Sequence, residues 1–160
     1  MIPYSLSDVK NFLSSKHLEM KDQKETDQIY AMLTVDGKEY PFFVRAIEDA
    51  KLIQTIAFLP FEFKEEHVNE TARLLLLFNK ELSHPGFGID EDNHVIFFRC
   101  LIPAVNGKLS ETLLKTALEA TKNALQIFTG SIFAIGTGQI TYKDLMEKAQ
   151  KQSSHKKGKS

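Results

Sequence analysis

One cysteine, Cys100, stands in 160 residues, and tryptophan is missing altogether. A single thiol closes no intramolecular disulfide and builds no cysteine-rich metal site. The leucine-rich apolar run over residues 74–78 is only five residues long, far short of the ~20 residues that span a bilayer. Neither sign of charge prevails: 20 Lys+Arg meet 21 Asp+Glu, a formal net charge of −1. That balance argues against a nucleic-acid binder working through bulk positive charge. The start, MIPYSLSDVKNFL, lacks the basic stretch and apolar run of a secretory leader, so a cytoplasmic protein with no membrane contact is expected. What remains is ordinary for a globule: 42% hydrophobic and 26% charged residues, too apolar for disorder. A chain of ~150 residues hides about 68–70% of its unfolded surface, enough for one real core.

The charge is unevenly placed. Residues 151–160, KQSSHKKGKS, carry four lysines and no acid, which leaves 16 basic and 21 acidic side chains in residues 1–150. The expectation is a mildly acidic single domain over 1–150 followed by a disordered basic tail over 151–160, since the tail has nothing apolar to bury. A solvated terminus is the plain reading of that tail, and contact with nucleic acid or a membrane surface is the alternative.

Along the chain, Ser5 or Ser7 can cap a helix over residues 6–16 with Val9, Phe12 and Leu13 on one face. Ile29, Ala31, Leu33 and Val35 alternate with other residues at period two, a strand. Asp36-Gly37 then signals a tight hairpin into a second strand over 40–47, with Pro41 at its start or on an edge. A third strand spans 51–59. A helix over 65–82 ends at the breaker Ser83-His84-Pro85-Gly86, and short strands over 87–90 and 94–102 follow. The second of these is apolar on both faces, so it expects cover on both sides, from helices or from a second copy. After the Asn106-Gly107 turn, Ser110 caps a long helix that the glycine signal ends near Gly130. Thr141 and Asp144 form a capping-box start for a last helix to about Gln150. The predicted class is α+β, an antiparallel sheet with helices packed on it, in the order α-βββ-α-ββ-α-α.

Catalytic patterns are scarce. The five histidines never share a helix at i, i+4, and no HExxH or paired Cys/His spacing occurs. Asp90 to Asn93 lacks the glycine and closing glutamate of a calcium loop and reads as a hairpin turn. Gly130, Gly136 and Gly138 lack the GK[ST] of a phosphate loop. Cys100, in an apolar strand, reads as a buried inert thiol. No catalytic residue, metal site or cofactor is expected, and the protein is taken as a non-enzyme. Two arginines do stand out: Arg45 and Arg99 interrupt apolar strands at FFVRA and FFRC. Each either sits at a sheet edge or pairs with an acid, or the two flank a partner-binding face, arginine with aromatics being enriched at interfaces. The candidate partner-binding residues are Phe43, Arg45, Phe97, Arg99 and Leu101.

The stretch LLLLFNKELSHPGFGIDEDNHVIFFRCLIPAVNGKLSETLLKTALEA, residues 74–120, resembles the YbjN family, a bacterial group with the fold of the type III secretion chaperones. Its marks here are a leucine-rich helix ending at Asn79, the strand Gly86 to Asp90, the strand bearing Arg99, and a glycine turn before Leu109-Ser110. The resemblance implies a small, cytoplasmic, non-enzymatic α+β protein that forms a homodimer. Secretion chaperones of this fold hold an extended segment of a protein partner, a secreted effector, against apolar patches and sheet edges, a mode with a physical basis in strand addition. The basic tail and last helix are extra to that plan. The alternative is a regulator that touches nucleic acid through the tail.

Overall fold

A computed structural model describes residues 1–158. Ile2–Pro3 (β1) leads into a helix over Leu6–Ser14 (α1), capped by Ser5, whose hydroxyl accepts from the Asp8 N–H at 3.1 Å. The meander follows: Lys21–Gln23 (β2), Gln28–Val35 (β3), Lys38–Ile47 (β4) and Leu52–Phe58 (β5). A single 3-10 turn over Glu65–His67 opens the helix Val68–Glu81 (α2). The hairpin Phe87–Asp90 (β6) and Val95–Pro103 (β7) comes next, then Lys108–Leu109 (β8), the helix Glu111–Gly136 (α3) and the helix Tyr142–Lys157 (α4). The architecture is α+β and the sheet is antiparallel throughout.

Six strands form one sheet in the order β2-β3-β4-β5-β7-β6. Turn chemistry sets its first register. Asp36 and Gly37 sit at φ +49° and +74°, the paired positive values of the two-residue turn that matches strand twist, and Val35 pairs with Lys38 directly. Asn106 and Gly107 repeat the device at φ +51° and +71°. Pro41 lies four residues into β4, where the strand has only β3 as neighbour, because pairing with β5 begins at Phe42. A missing N–H is harmless there.

The helices share one side of the sheet. Ile29, Ala31 and Leu33 of β3, Tyr40, Phe42 and Val44 of β4, Ile53 and Ala57 of β5, and Ile96, Phe98 and Ile102 of β7 are buried on that side. They meet Val9 and Leu13 of α1, Leu74 and Leu75 of α2, and a long buried stripe of α3. Phe78, Phe87 and Phe128 interlock where α2, β6 and α3 join, the Phe78 and Phe128 centroids 4.2 Å apart.

Several expectations differ from the structure. The long helix does not stop at Gly130. Thr129, Ile132 and Ile135 continue its buried stripe, and burying each isoleucine gives ~1.5–3 kcal/mol, more than the ~1 kcal/mol an internal glycine costs. Residues 151–157, expected to be disordered, continue α4. They bury nothing, but helical bonds are local and need no core, and His155, Lys156 and Lys157 stand at the end of the helix that favours positive charge. Lys159 and Ser160 of that expected tail lie outside the described residues. The first helix ends two residues early, at Ser14. Finally β1 pairs with β8, Ile2 opposite Leu109; strands of two residues carry no alternation to read.

Candidate functional site

The side of the sheet turned away from the helices is built by the odd partners of the buried stripes. Register stacks Tyr30, Phe43, Ile56 and Arg99 in one row across β3, β4, β5 and β7. The next row is Gln28, Arg45, Gln54 and Leu101, and Phe58 pairs with Phe97. All five candidate residues, Phe43, Arg45, Phe97, Arg99 and Leu101, therefore share this face. Tyr30, Gln54, Ile56 and Phe58 belong to it as well and were not singled out. Tyr30 stands in the half of the β3 alternation opposite the buried Ile29, Ala31 and Leu33, and Ile56 and Phe58 share the corresponding parity in β5.

An aromatic ladder crosses the face. The Tyr30 and Phe43 rings stack at 6.1 Å, Phe43 meets Phe58 at 5.8 Å edge-on, and Phe58 meets Phe97 at 6.3 Å edge-on. Such pairs add ~0.5–1.5 kcal/mol each beyond burial, so the ladder is a rigid platform. Gly88 of β6 pairs with Phe97, and the Phe97 ring lies where a Cβ on Gly88 would go. A shallow depression of about 260 Å³ opens between Gln28, Phe43, Arg45, Gln54, Ile56 and Phe58.

Both arginines stand at this surface rather than in the core. Arg45 Nε donates to Gln54 Oε1 at 2.7 Å, tying the guanidinium to a glutamine that is itself buried. The Arg99 guanidinium lies 5.6 Å from the Phe97 ring centroid, a cation–π distance. Among the described residues neither has a carboxylate within 4 Å. The reading of an arginine paired with an acid thus fails for both, and Arg45 lies on a strand with neighbours on either side. Leu101 is 50% exposed and Met32 51%, large apolar side chains on a face that the described residues leave uncovered.

β7 also leaves an edge. β6 covers it only from Val95 to Phe98, and one further bond runs from the Arg99 N–H to the Gly86 carbonyl at 2.8 Å. Beyond that, residues 101–103 have β5 on one side and a cleft of about 410 Å³ on the other, bounded by residues 83–87 and by Leu113, Thr116 and Ala117 of α3.

Reactive chemistry is sparse. Burial pushes the Cys100 thiol above its ordinary range, only partly countered by hydrogen bonds with Thr121 and Thr55. Asp90, at the hairpin tip, accepts from the N–H and Nδ2 of Asn93 at 3.2 and 2.8 Å, which hold its carboxyl below the usual range. Among the described residues no cluster of three His, Cys, Asp or Glu could hold a metal ion, and no helix is long and apolar enough to cross a membrane.

A family model described as "YbjN: Putative bacterial sensory transduction regulator" matches residues 5–129. No curated protein matches the chain. Among solved structures, the "Crystal structure of YbjN, a putative transcription regulator from E. coli" superposes with a TM-score of 0.56 at 11% sequence identity, covering 76% of this chain and 89% of that one. At that identity the likeness concerns the fold. The family match takes in the whole six-stranded sheet, with the aromatic ladder and both arginines, and stops ahead of α4. By a match over most of its length, this chain belongs to the YbjN family.

Proposed function

We propose that this protein is a non-enzymatic, cytoplasmic regulatory module that works by holding another polypeptide on the uncovered sheet face, as a homodimer of the secretion-chaperone type. One observation carries the reading. One side of the sheet is sealed by three helices, while the other presents a rigid aromatic ladder, two arginines without carboxylate partners among the described residues, and half-exposed Leu101. Aromatic and arginine side chains on a flat, well-packed patch are the composition of interface hot spots. The open edge of β7 beside the cleft would let an extended segment add main-chain hydrogen bonds. The family description, a sensory transduction regulator, fits a protein whose output is binding.

Site-specific photo-crosslinking tests this. A benzophenone amino acid replaces Leu101 on the face, and in a control replaces Ile127, 65% exposed on α3. The reading expects cross-links from position 101 to a second copy or a partner chain, and none from position 127. Equal labelling at both, or none at 101, overturns the face. Light scattering at micromolar concentration decides the dimer separately, and a strict monomer removes it.

A second reading has its own observation: the last turns of α4 are exposed and bear Lys151, His155, Lys156 and Lys157. A regulator touching nucleic acid through this segment would show binding that weakens steeply with salt and vanishes on deleting residues 151–160.

A further inference from the structure

Gly130 lies inside α3, yet nothing in the packing asks for a glycine there: a Cβ placed on it meets no atom within 4 Å. Glycine is disfavoured against alanine in a helix interior, so the position gives up helix stability and gains neither a turn nor a close contact. What the missing side chain leaves is a notch. It opens on a pocket of about 270 Å³ walled by Pro60, Phe61 and Phe133, with Thr129 and Lys38 also lining it. The Phe61 and Phe133 rings meet edge to face at 5.1 Å, which fixes two walls.

The polar groups of this pocket are left with unused capacity. Lys38, exposed at the start of β4, has no carboxylate within 4 Å among the described residues. Nearby Asp36 instead accepts from Gln126 Nε2 at 3.5 Å. Thr129 is 4% exposed and accepts the Tyr40 hydroxyl proton at 3.1 Å. Its own proton has no acceptor among the described residues. Thr71, Thr121 and Thr137 show the ordinary outcome, each donating to the carbonyl one turn back at 2.7, 2.8 and 2.6 Å. Thr129 makes no such bond. A buried hydroxyl with a proton to spare, beside an ammonium that has no carboxylate partner among the described residues, forms a donor site for an anionic acceptor with an aromatic wall.

We propose that this pocket binds a small organic carboxylate with an aromatic or short aliphatic body. The body lies over Gly130 against the joined Phe61–Phe133 pair, and the carboxylate accepts a hydrogen bond from the Thr129 hydroxyl and meets the Lys38 charge. At ~30 Å³ per water-sized unit, 270 Å³ admits a ligand the size of benzoate or phenylacetate. Gly130 is then a binding residue, its absent methyl being the floor of the slot. The pocket lies on the helix side of the sheet, so this site and the partner face stand or fall separately.

The test uses the full chain labelled with ¹⁵N, titrated with phenylacetate and, as the uncharged isostere, phenylacetamide. Phenylacetate is expected to give saturable shifts confined to the amides of Lys38, Phe61 and residues 129–133, at least about tenfold more tightly than the amide. Gly130→Ala is expected to raise Tm and abolish these shifts; opposite signs for stability and binding are something a merely structural glycine would not give. Lys38→Gln, at an exposed position, is expected to weaken phenylacetate by about tenfold and leave phenylacetamide unchanged. No saturable shift up to about 10 mM, shifts scattered elsewhere, or full binding by Gly130→Ala each overturns the proposal.

Discussion

The side chain of Asn79, near the end of α2, does for β6 what a neighbouring strand would do. Its Nδ2 donates to the Phe87 carbonyl at 2.9 Å, and its Oδ1 accepts from the Phe87 N–H at 3.0 Å. Phe87 is buried and sits at the sheet's last strand, packed on Phe98, Phe78 and Phe128. Asn79→Ala removes both bonds at once and leaves a backbone donor and acceptor without partners. Two net hydrogen bonds at ~1–1.5 kcal/mol each give a loss of about 2–3 kcal/mol. In a chain of this size that lowers Tm by roughly 5–10 °C and shifts the urea midpoint by about 1–2 M at unchanged slope. Asn79→Asp sharpens the test. One carboxylate oxygen can still accept the Phe87 N–H, but the other faces the Phe87 carbonyl, so this variant loses more than Asn79→Ala at neutral pH. Folding raises the new carboxyl's pKa, because only the protonated form can donate. Its contribution is therefore present below the ordinary carboxylate pKa of ~3.9 and lost as pH rises through the raised value. The gap between the two variants should close on acidification. An Asn79→Ala protein within about 0.5 kcal/mol of the parent would refute the claim that this amide holds the strand.

Three further outcomes follow from described contacts. Gly88→Val puts a side chain where the Phe97 ring lies; overpacking of this kind costs ~1–3 kcal/mol, and an unchanged urea midpoint would mean the ring moves freely. Cys100 should react with a thiol reagent far more slowly in the folded chain than in urea, and stability relative to Cys100→Ala should fall only as pH rises beyond the ordinary thiol range of ~8.5, because burial raises its folded pKa; labelling at the free-thiol rate contradicts the burial. Ending the chain after Gln150 removes only exposed residues of α4, so Tm should move by no more than about 1–2 °C, and a larger drop would show that the last turns pack on the body.

Much of this architecture is legible in the chain because its signals are local. Ser5, Ser110 and the Thr141–Asp144 box cap their helices as expected, Asp144 N–H donating to Thr141 Oγ1 at 3.1 Å. Parity within each strand puts Phe43 with Arg45, and Phe97 with Arg99 and Leu101. That the two groups join one surface depends on β5 lying between them, a pairing set by burial across the whole sheet. Gly130 misled because a helix-ending glycine and a glycine inside a buried stripe look alike until Ile132 and Ile135 find their partners. The notch beside it was illegible for a related reason: its walls come from residues 38, 60–61 and 129–133, brought together only by folding.

The junction of β5 with β7 has a consequence in time. β3, β4 and β5 pair through tight connections, but the β5–β7 ladder joins residues 39 positions apart at Phe58 and Phe97 and 51 apart at Leu52 and Pro103. Its closure entropy must be met before its contacts form, and non-local pairing of this kind slows folding. The first meander can assemble early with the β5 edge bare, while α2, β6 and β7 are still being ordered. During that interval the buried stripe of Ile53 and Ala57 lacks its cover from β7, and a newly made chain at high concentration is most open to pairing with another copy of itself along β5.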